Sequence, residues 1–279
     1  MTLPPEFQFS QGSLQDFADC RRRFQLHYLL RQSWPAVPSE PVLEMERYMQ
    51  QGARFHRMLQ QHLLGLPVER LAPIAQDEDL ARWWENYLLF SQGGGLQALA
   101  GVGARYYPEI TLTAPFGSYR LLAKLDLLAV NPEGRALILD WKTARKRPRR
   151  QWLADRLQTR LYPFLLIQAG AFLNAGTPFL PEQVEMVYWF ADFPDQRERF
   201  PYTASALQVD RDYLAEMVAT IHRLSDDDFP LTTDDRRCAY CVYRSLCDRG
   251  SKAGSLLEFD TLDEEAPHLD FDQTVEIEF

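Results

Sequence analysis

Residues 121–142 read LLAKLDLLAVNPEGRALILDWK, and this stretch holds the strongest structural signal in the sequence. Two apolar runs of strand length flank a turn with the sequence NPEGR at 131–135, which is the pattern of a β-hairpin. If the hairpin closes symmetrically about Glu133, residues whose numbers sum to 266 face each other, so Asp126 lies opposite Asp140. Facing residues bring their Cβ atoms to about 5 Å. The sequence therefore predicts two neighbouring carboxylates on an otherwise apolar hairpin.

These two carboxylates need a compensating charge, because like charges at facing strand positions destabilise a sheet. Side chains alternate along a strand, so Lys142 shares a face with Asp140 while Trp141 points to the other face. A divalent cation held between the two acids is the simplest compensation. The hairpin therefore predicts a metal site, with a surface hairpin carrying solvated charges as the alternative interpretation.

The spacing Asp-x13-Asp-x-Lys, formed by Asp126, Asp140 and Lys142, resembles the motif of the PD-(D/E)XK nuclease superfamily. The resemblance implies an α/β fold of the restriction-endonuclease-like type, with a mixed central sheet flanked by helices. The order of helical and strand patterns along the chain also favours a mixed α/β sheet. One departure is Ala123, which stands where the family has a glycine.

Composition describes an ordinary globular protein. The chain has 279 residues, of which 46% are hydrophobic and 25% are charged. No apolar run approaches the roughly 20 residues that span a bilayer, and the first residues lack the pattern of a signal peptide. We therefore expect a cytoplasmic protein.

The negative charge is concentrated at one end of the sequence. Residues 251–279 hold nine acids and one lysine, a net charge of −8, which leaves −1 of the total −9 for residues 1–250. We expect 251–279 to be a flexible acidic tail. By contrast, a basic strip directly after the hairpin predicts phosphate contacts with DNA, unless it is a solvated loop. Its members are Arg145, Lys146, Arg147, Arg149 and Arg150.

Three further residues gain a meaning from the resemblance. His56 follows Gly52 by four residues in a helical stretch, where the family presents a metal-binding histidine, although a lone helical histidine is more often structural. Gln158 and Tyr162 share one helical face and match the Q-x3-Y motif that follows the lysine-bearing strand. Pro163 comes next and predicts a kink or restart of that helix. Glu109, ahead of the hairpin, is a candidate accessory acid with a solvated position as the default.

The four cysteines point to a metal centre. Cys238, Cys241 and Cys247 form a C-x2-C-x5-C cluster in CAYCVYRSLC, and the one remaining cysteine is Cys20. In a cytosolic protein such a cluster indicates metal binding rather than disulfides. Four cysteine ligands suit zinc as well as iron–sulfur. The set is similar to that of RecB-like nucleases of the iron–sulfur type, including the AddB nuclease domain and CRISPR-associated exonucleases, and this resemblance implies a structural [4Fe-4S] cluster.

The motifs occur in family order, and this order predicts the domain organisation. Residues 1–250 are expected to form a single RecB-like nuclease domain. It would have a helical part at about 10–100, a catalytic core at about 105–225 and a cysteine-cluster segment at 236–250.

By resemblance, we expect a Mg²⁺- or Mn²⁺-dependent deoxyribonuclease, an exonuclease that acts on single-stranded DNA or DNA ends. Asp126, Asp140 and His56 would bind the metal, with the Trp141 carbonyl as an extra ligand. Lys142 would orient or deprotonate the attacking water, helped by Gln158 and Tyr162. The alternatives are a non-cutting DNA-binding or scaffolding subunit of a repair or CRISPR complex, and a zinc-stabilised interaction module. A helicase or a CRISPR-adaptation protein is the expected kind of partner, and no membrane is expected.

Overall fold

A computed structural model describes residues 3–4, 6–32, 40–225, 227–238 and 241–250. The acidic segment 251–279 lies outside the described residues. The strands are β1 (Gln8–Ser10), β2 (Arg105–Phe116), β3 (Tyr119–Val130), β4 (Ala136–Lys142), β5 (Val184–Phe190) and β6 (Phe193–Pro201). The α-helices are α1 (Gln11–Asp19), α2 (Arg21–Phe24), α3 (Glu40–Leu63), α4 (Val68–Leu71), α5 (Glu78–Gln92), α6 (Gly95–Ala100), α7 (Arg150–Asp155), α8 (Leu157–Ala169) and α9 (Ala204–Arg223).

The six strands form one mixed sheet. Its order is β1-β3-β4-β5-β6, and β2 pairs with β3 beside this path. β4 runs parallel to β5, whereas β3 and β6 are antiparallel to their neighbours β4 and β5. A parallel pair needs a crossover connection, which α7 and α8 supply between β4 and β5. The mixed sheet flanked by helices confirms the predicted restriction-endonuclease-like fold.

The hairpin register agrees with the sequence expectation. Leu127 faces Leu139 and Val130 faces Ala136, so the numbers of facing residues sum to 266. The turn is closed by Asn131, whose side-chain Oδ1 accepts the Arg135 N–H at 2.9 Å. A φ of +76° at position 134 favours glycine, because other residues lose stability in the left-handed region.

The face opposite the carboxylates is an aromatic core. The Trp141 ring lies 5.6 Å from Tyr87 of α5 and 5.5 Å from Trp189 of β5, with both pairs edge to face. Such pairs contribute about 0.5–1.5 kcal/mol each beyond the area that they bury. This packing keeps Trp141 on the core side and therefore directs Asp140 and Lys142 to the other side, as the alternation predicted.

Helix α8 does not restart at Pro163, which corrects one sequence expectation. The helix continues from Leu157 to Ala169 with Pro163 inside it. Its side chains Leu161, Phe164 and Leu165 are at most 2% exposed. Burial of these apolar side chains offsets the backbone hydrogen bond that proline removes.

The chain divides into two compact units. One consists of residues 1–49, 115–121 and 212–279, and the other of residues 50–114 and 122–211. The four cysteines belong to the first unit, and the predicted catalytic residues belong to the second. The single nuclease domain expected for 1–250 stays a prediction. Across the described residues, no helix has the length and apolar character needed to cross a membrane.

Candidate active site

Asp126 and Asp140 come from the neighbouring strands β3 and β4. The Trp141 backbone N–H donates to Asp126 Oδ2 at 2.9 Å, so the hydrogen bonds of the hairpin hold the first carboxylate against the second strand. Asp140 is 1% exposed. Two neighbouring carboxylates, one of them buried, require compensation from their surroundings.

The surroundings act differently on the two acids. Burial and the Asp126 charge, opposed by the Lys142 ammonium, raise the pKa of Asp140 to about 6. Burial also disfavours the charged form of Asp126, but His56, Lys142 and the Trp141 N–H outweigh it and lower the pKa of Asp126. Pairs of carboxylates whose pKa values are moved apart are typical of catalytic sites.

Lys142 is held by two partners. Its Nζ lies 2.8 Å from Asp140 Oδ2 and donates to Gln158 Oε1 at 3.0 Å. The Gln158 amide in turn donates from Nε2 to Asp140 Oδ1 at 2.6 Å and to the Tyr162 hydroxyl at 3.2 Å. Gln158 and Tyr162 are one turn apart on α8, as the Q-x3-Y spacing predicted. The structure therefore brings Asp140, Lys142, Gln158 and Tyr162 into one hydrogen-bonded cluster.

His56 stands on the other side of Asp126. Its Nδ1 lies 3.4 Å from Asp126 Oδ1. Burial opposes protonation, but the Asp126 carboxylate outweighs burial, with Asp140 and Glu109 adding to the effect, so the pKa of His56 rises to about 9. A site that favours a proton on His56 is a site of negative potential, where a cation would also be stabilised.

A group of three side chains meets the spacing of metal ligands. Ligand atoms of His56, Glu109 and Asp126 all lie within 4.8 Å of one another, and no other group of three His, Cys, Asp or Glu side chains within the described residues does so. The predicted ligands His56 and Asp126 are therefore brought together. Asp140, the third predicted ligand, instead has both carboxylate oxygens in contact with Lys142 and Gln158. The predicted ligand role of the Trp141 carbonyl stays a prediction.

Glu109, which the sequence predicted only as a candidate accessory acid, belongs to the site. It lies on β2 with a φ of +54°, an unfavourable conformation for a residue other than glycine, and such strain clusters at functional sites. Lys124 Nζ lies 2.8 Å from Glu109 Oε2. A signal was present in the sequence, because β2 and β3 are joined by the two residues Gly117 and Ser118. Symmetric closure about them puts Glu109 opposite Asp126.

The basic strip is partly committed to contacts within the protein. Arg147 and Arg150 both pair with Glu198 of β6, which is 6% exposed, and Arg150 also lies 4.4 Å from the centre of the Phe200 ring. Arg145 Nη2 lies 3.6 Å from Asp79 Oδ2. The predicted DNA contacts of this strip, Lys146 and Arg149 included, stay a prediction.

In the other unit, the structure brings Cys20 to the late cysteines. All four thiols are free and none is fully buried. Burial raises the pKa of Cys238, Cys241 and Cys247, and the charge of Cys20 adds to the increase at each of them. The four thiols are therefore close enough to interact electrostatically.

An ion-pair network joins residues that lie close to the cysteines in sequence, within the same unit. Arg23 Nη2 lies 2.7 Å from Asp16 Oδ1 and 3.1 Å from Asp19 Oδ2. Arg237, one residue before the first late cysteine, also pairs with Asp19. Through Asp19, these contacts join the chain next to Cys20 to the residue that precedes Cys238.

A family model described as the PD-(D/E)XK nuclease superfamily matches residues 8–248. A crystal structure of a candidate exonuclease from Eubacterium rectale is similar, with 11% identity and a TM-score of 0.49 over 77% of this chain and 80% of that chain. The crystal structure of SSO0001 is similar with 12% identity and a TM-score of 0.39, over 86% of this chain and 85% of that chain. No curated protein sequence matches.

Proposed function

Because the chain belongs to the PD-(D/E)XK nuclease superfamily, we propose that it is a metal-dependent deoxyribonuclease acting as an exonuclease on single-stranded DNA or DNA ends. One observation carries the proposal. The ligand atoms of His56, Glu109 and Asp126 gather at the hairpin whose second strand presents Asp140 and Lys142. Phosphodiester hydrolysis needs a group of metal ligands and a positioned ammonium close to each other.

The donor set fits a hard divalent cation. Two carboxylates and one imidazole suit Mn²⁺, and carboxylate oxygens suit Mg²⁺. The Asp126 carboxylate lies 3.4 Å from His56 and outweighs burial in raising the pKa of His56, and this negative potential supports cation binding here. When bound, the cation supplies Lewis-acid polarisation of the scissile phosphate and a lower pKa for its coordinated water.

The protein's own groups supply the rest of the mechanism. Lys142 would donate hydrogen bonds to the attacking water or to a phosphate oxygen and offset the negative charge that develops in the transition state. Asp140 and Gln158 hold its Nζ at 2.8 and 3.0 Å, so little reorientation is needed during the reaction. Tyr162 fixes Gln158 at 3.2 Å.

A cleavage assay tests the proposal. The full chain is incubated with single-stranded and double-stranded oligonucleotides, labelled at either end, in Mg²⁺, in Mn²⁺ and in excess chelator. We expect stepwise shortening of the single strand with either metal and none with chelator. Absence of cleavage by wild-type protein together with retained DNA binding would favour the scaffolding alternative.

The cysteines support a second part of the proposal, a structural [4Fe-4S] cluster held by Cys20, Cys238, Cys241 and Cys247. The Cys20 thiol interacts electrostatically with each of the three late thiols, as a shared centre requires. Four thiolates suit zinc as well as iron–sulfur, and the resemblance to the iron–sulfur nucleases favours the cluster.

Anaerobic purification tests the cluster. We expect about four iron and four sulfide per chain and absorption at about 400 nm. Stoichiometric zinc without iron in protein purified in this way would contradict it. A helicase or CRISPR-adaptation partner remains a prediction from the resemblance.

A further inference from the structure

A groove runs beside helix α3, separate from the face that carries His56. It has a volume of about 600 Å³ and lies within one of the two units. One wall is α3, and the other is the short segment after α4. The lining residues are Arg54, Arg57, Met58, Gln61, Pro73, Ile74 and Gln76.

The groove is positively charged. Two of its lining residues are arginines and none is an acid. Arg54 and Arg57 are exposed, and no carboxylate among the described residues pairs with either of them. Arg147 and Arg150 of the basic strip differ, because both pair with the one carboxylate of Glu198. The groove therefore offers an anionic ligand two available guanidinium groups.

The arrangement of the groove suits an extended strand with regularly spaced charges. Arg54, Arg57 and Gln61 follow one another at i, i+3 and i+7, which places them in one stripe with about 5–6 Å between the Cβ atoms of the two arginines. Guanidinium groups at this spacing can bind neighbouring phosphates of a single strand. On the second wall, Pro73 and the 41% exposed Ile74 offer an apolar surface to sugars and base faces.

The groove is next to the candidate metal centre along the helix. Arg57 directly follows His56, and Arg54 precedes it by two residues. An α-helix with its side chains is only about 10–12 Å across. A DNA strand bound in the groove on one side of α3 therefore passes close to the side of α3 that carries His56.

We propose that this α3 groove binds the sugar–phosphate backbone of single-stranded DNA and leads the strand to the metal centre. Arg54 and Arg57 bind successive phosphates, and Gln61 and Gln76 offer amide groups to phosphates or base edges. The inference rests on the proposed nuclease function and names the path of its substrate. Contacts of this kind imply little sequence preference, because they are made to the backbone.

Salt-dependent binding tests the groove. Anisotropy of a fluorescent oligo(dT) is measured in chelator, so that nothing is cleaved, from 50 to 300 mM NaCl. Each phosphate contact on a single strand contributes a slope of about 0.7 to the plot of log K against log salt. We expect the double variant R54Q/R57Q to lose about 1.4 of the slope and about 10-fold in affinity at 0.1 M salt.

Two controls keep the result specific. Arg223→Gln removes a similar charge at an exposed ion pair with Glu216 on α9, and its slope should equal that of wild type. Circular dichroism melting curves should show that the double variant folds. An unchanged slope in a folded double variant, or wild-type protein that does not bind oligo(dT), would overturn the groove proposal.

Two further measurements distinguish the groove proposal from the proposed nuclease function and from binding of the acidic segment. Hydrolysis of bis(p-nitrophenyl) phosphate with Mn²⁺ does not need the groove, so failure of wild type there counts against the nuclease function, while the binding slopes still decide the groove. A synthetic peptide of residues 251–279 tests whether the acidic segment is the occupant. If R54Q/R57Q loses the peptide but keeps its DNA affinity, the groove does not bind DNA.

Discussion

At the scale of single residues, Lys142 shows how burial and hydrogen bonding prepare a charged group for chemistry. Its ammonium contacts Asp140 and Gln158, and it lies 5.4 Å from the centre of the Tyr188 ring. The Tyr188 hydroxyl is 2.7 Å from Thr159 Oγ1, so the ring beneath the lysine is itself fixed. A lysine held on several sides keeps its position while substrate binds.

Replacing Lys142 by Ala should lower kcat for oligonucleotide cleavage by roughly 100-fold or more, because the transition-state charge loses its ammonium. The affinity for oligo(dT) in chelator should change by less than about threefold, since one cation contributes little to a long backbone interface. Arg223→Ala is the control for charge removal. Cleavage at the wild-type rate by the Lys142 variant would contradict the mechanism.

Glu109 is the second residue for which a prediction follows. Glu109→Gln should raise the Mn²⁺ concentration that gives half-maximal cleavage by about 10-fold or more, because one of three anionic or imidazole donors becomes a neutral amide. Calorimetric titration with Mn²⁺ checks the affinity directly. Glu216→Gln, on the exposed surface of α9, should leave the titration unchanged. Equal Mn²⁺ affinity in the Glu109 variant and wild type would remove Glu109 from the ligand set.

At the scale of elements, α3 contacts its surroundings through two histidines with different roles. His56 points to the carboxylates, whereas Nδ1 of His62 lies 2.8 Å from the Tyr87 hydroxyl of α5. Burial lowers the pKa of His62, whereas the pKa of His56 is raised. The two histidines of α3 therefore have different surroundings, because neighbouring elements place carboxylates beside His56 and a tyrosine hydroxyl beside His62.

The lowered pKa of His62 predicts a pH dependence of stability. A histidine whose pKa is lower in the folded chain binds fewer protons there than in the unfolded chain, so the free energy of unfolding falls as pH falls below about 6.5. His62→Gln should remove this part of the decrease, and urea unfolding at pH 5.0 and 7.5 measures it. An equal decrease in the variant and wild type would show that other groups cause it.

At the scale of the whole molecule, each of the two units has its own centre. The unit that contains residues 50–114 and 122–211 holds the carboxylates and the lysine, and the other holds the four cysteines. In the latter, Phe24 stacks on Phe229 at 6.4 Å, and Arg237 pairs with Asp19. Early and late parts of the chain therefore pack together around the thiols.

A cluster held by both parts should control the stability of that unit. Cys20→Ser and Cys247→Ser should each remove most of the bound iron and lower the Tm by several degrees, because the folded chain loses the binding free energy of the cluster. Iron analysis and thermal melting under argon measure both effects. A Cys20→Ser protein with full iron content would assign the fourth ligand to another residue.

The register of the β3–β4 hairpin could be predicted from the sequence. Its register followed from strand length, turn residues and alternation, which are local properties, and Leu127 faces Leu139 as expected. The same local symmetry about Gly117 and Ser118 would have placed Glu109 opposite Asp126, but the strained backbone at Glu109 leaves no signature in sequence.

By itself, the sequence determined the mixed α/β fold, the hairpin that brings Asp126 and Asp140 together, and the motif order, because periodicity, turn chemistry and spacing act between residues close in the chain. Packing between distant segments brings His56 to Glu109 and Asp126 and pairs Arg147 and Arg150 with Glu198. It also leaves Arg54 and Arg57 exposed, without a carboxylate partner among the described residues. The physical reason is that the partner of a charge is chosen by packing between distant segments, and composition or spacing does not encode this choice.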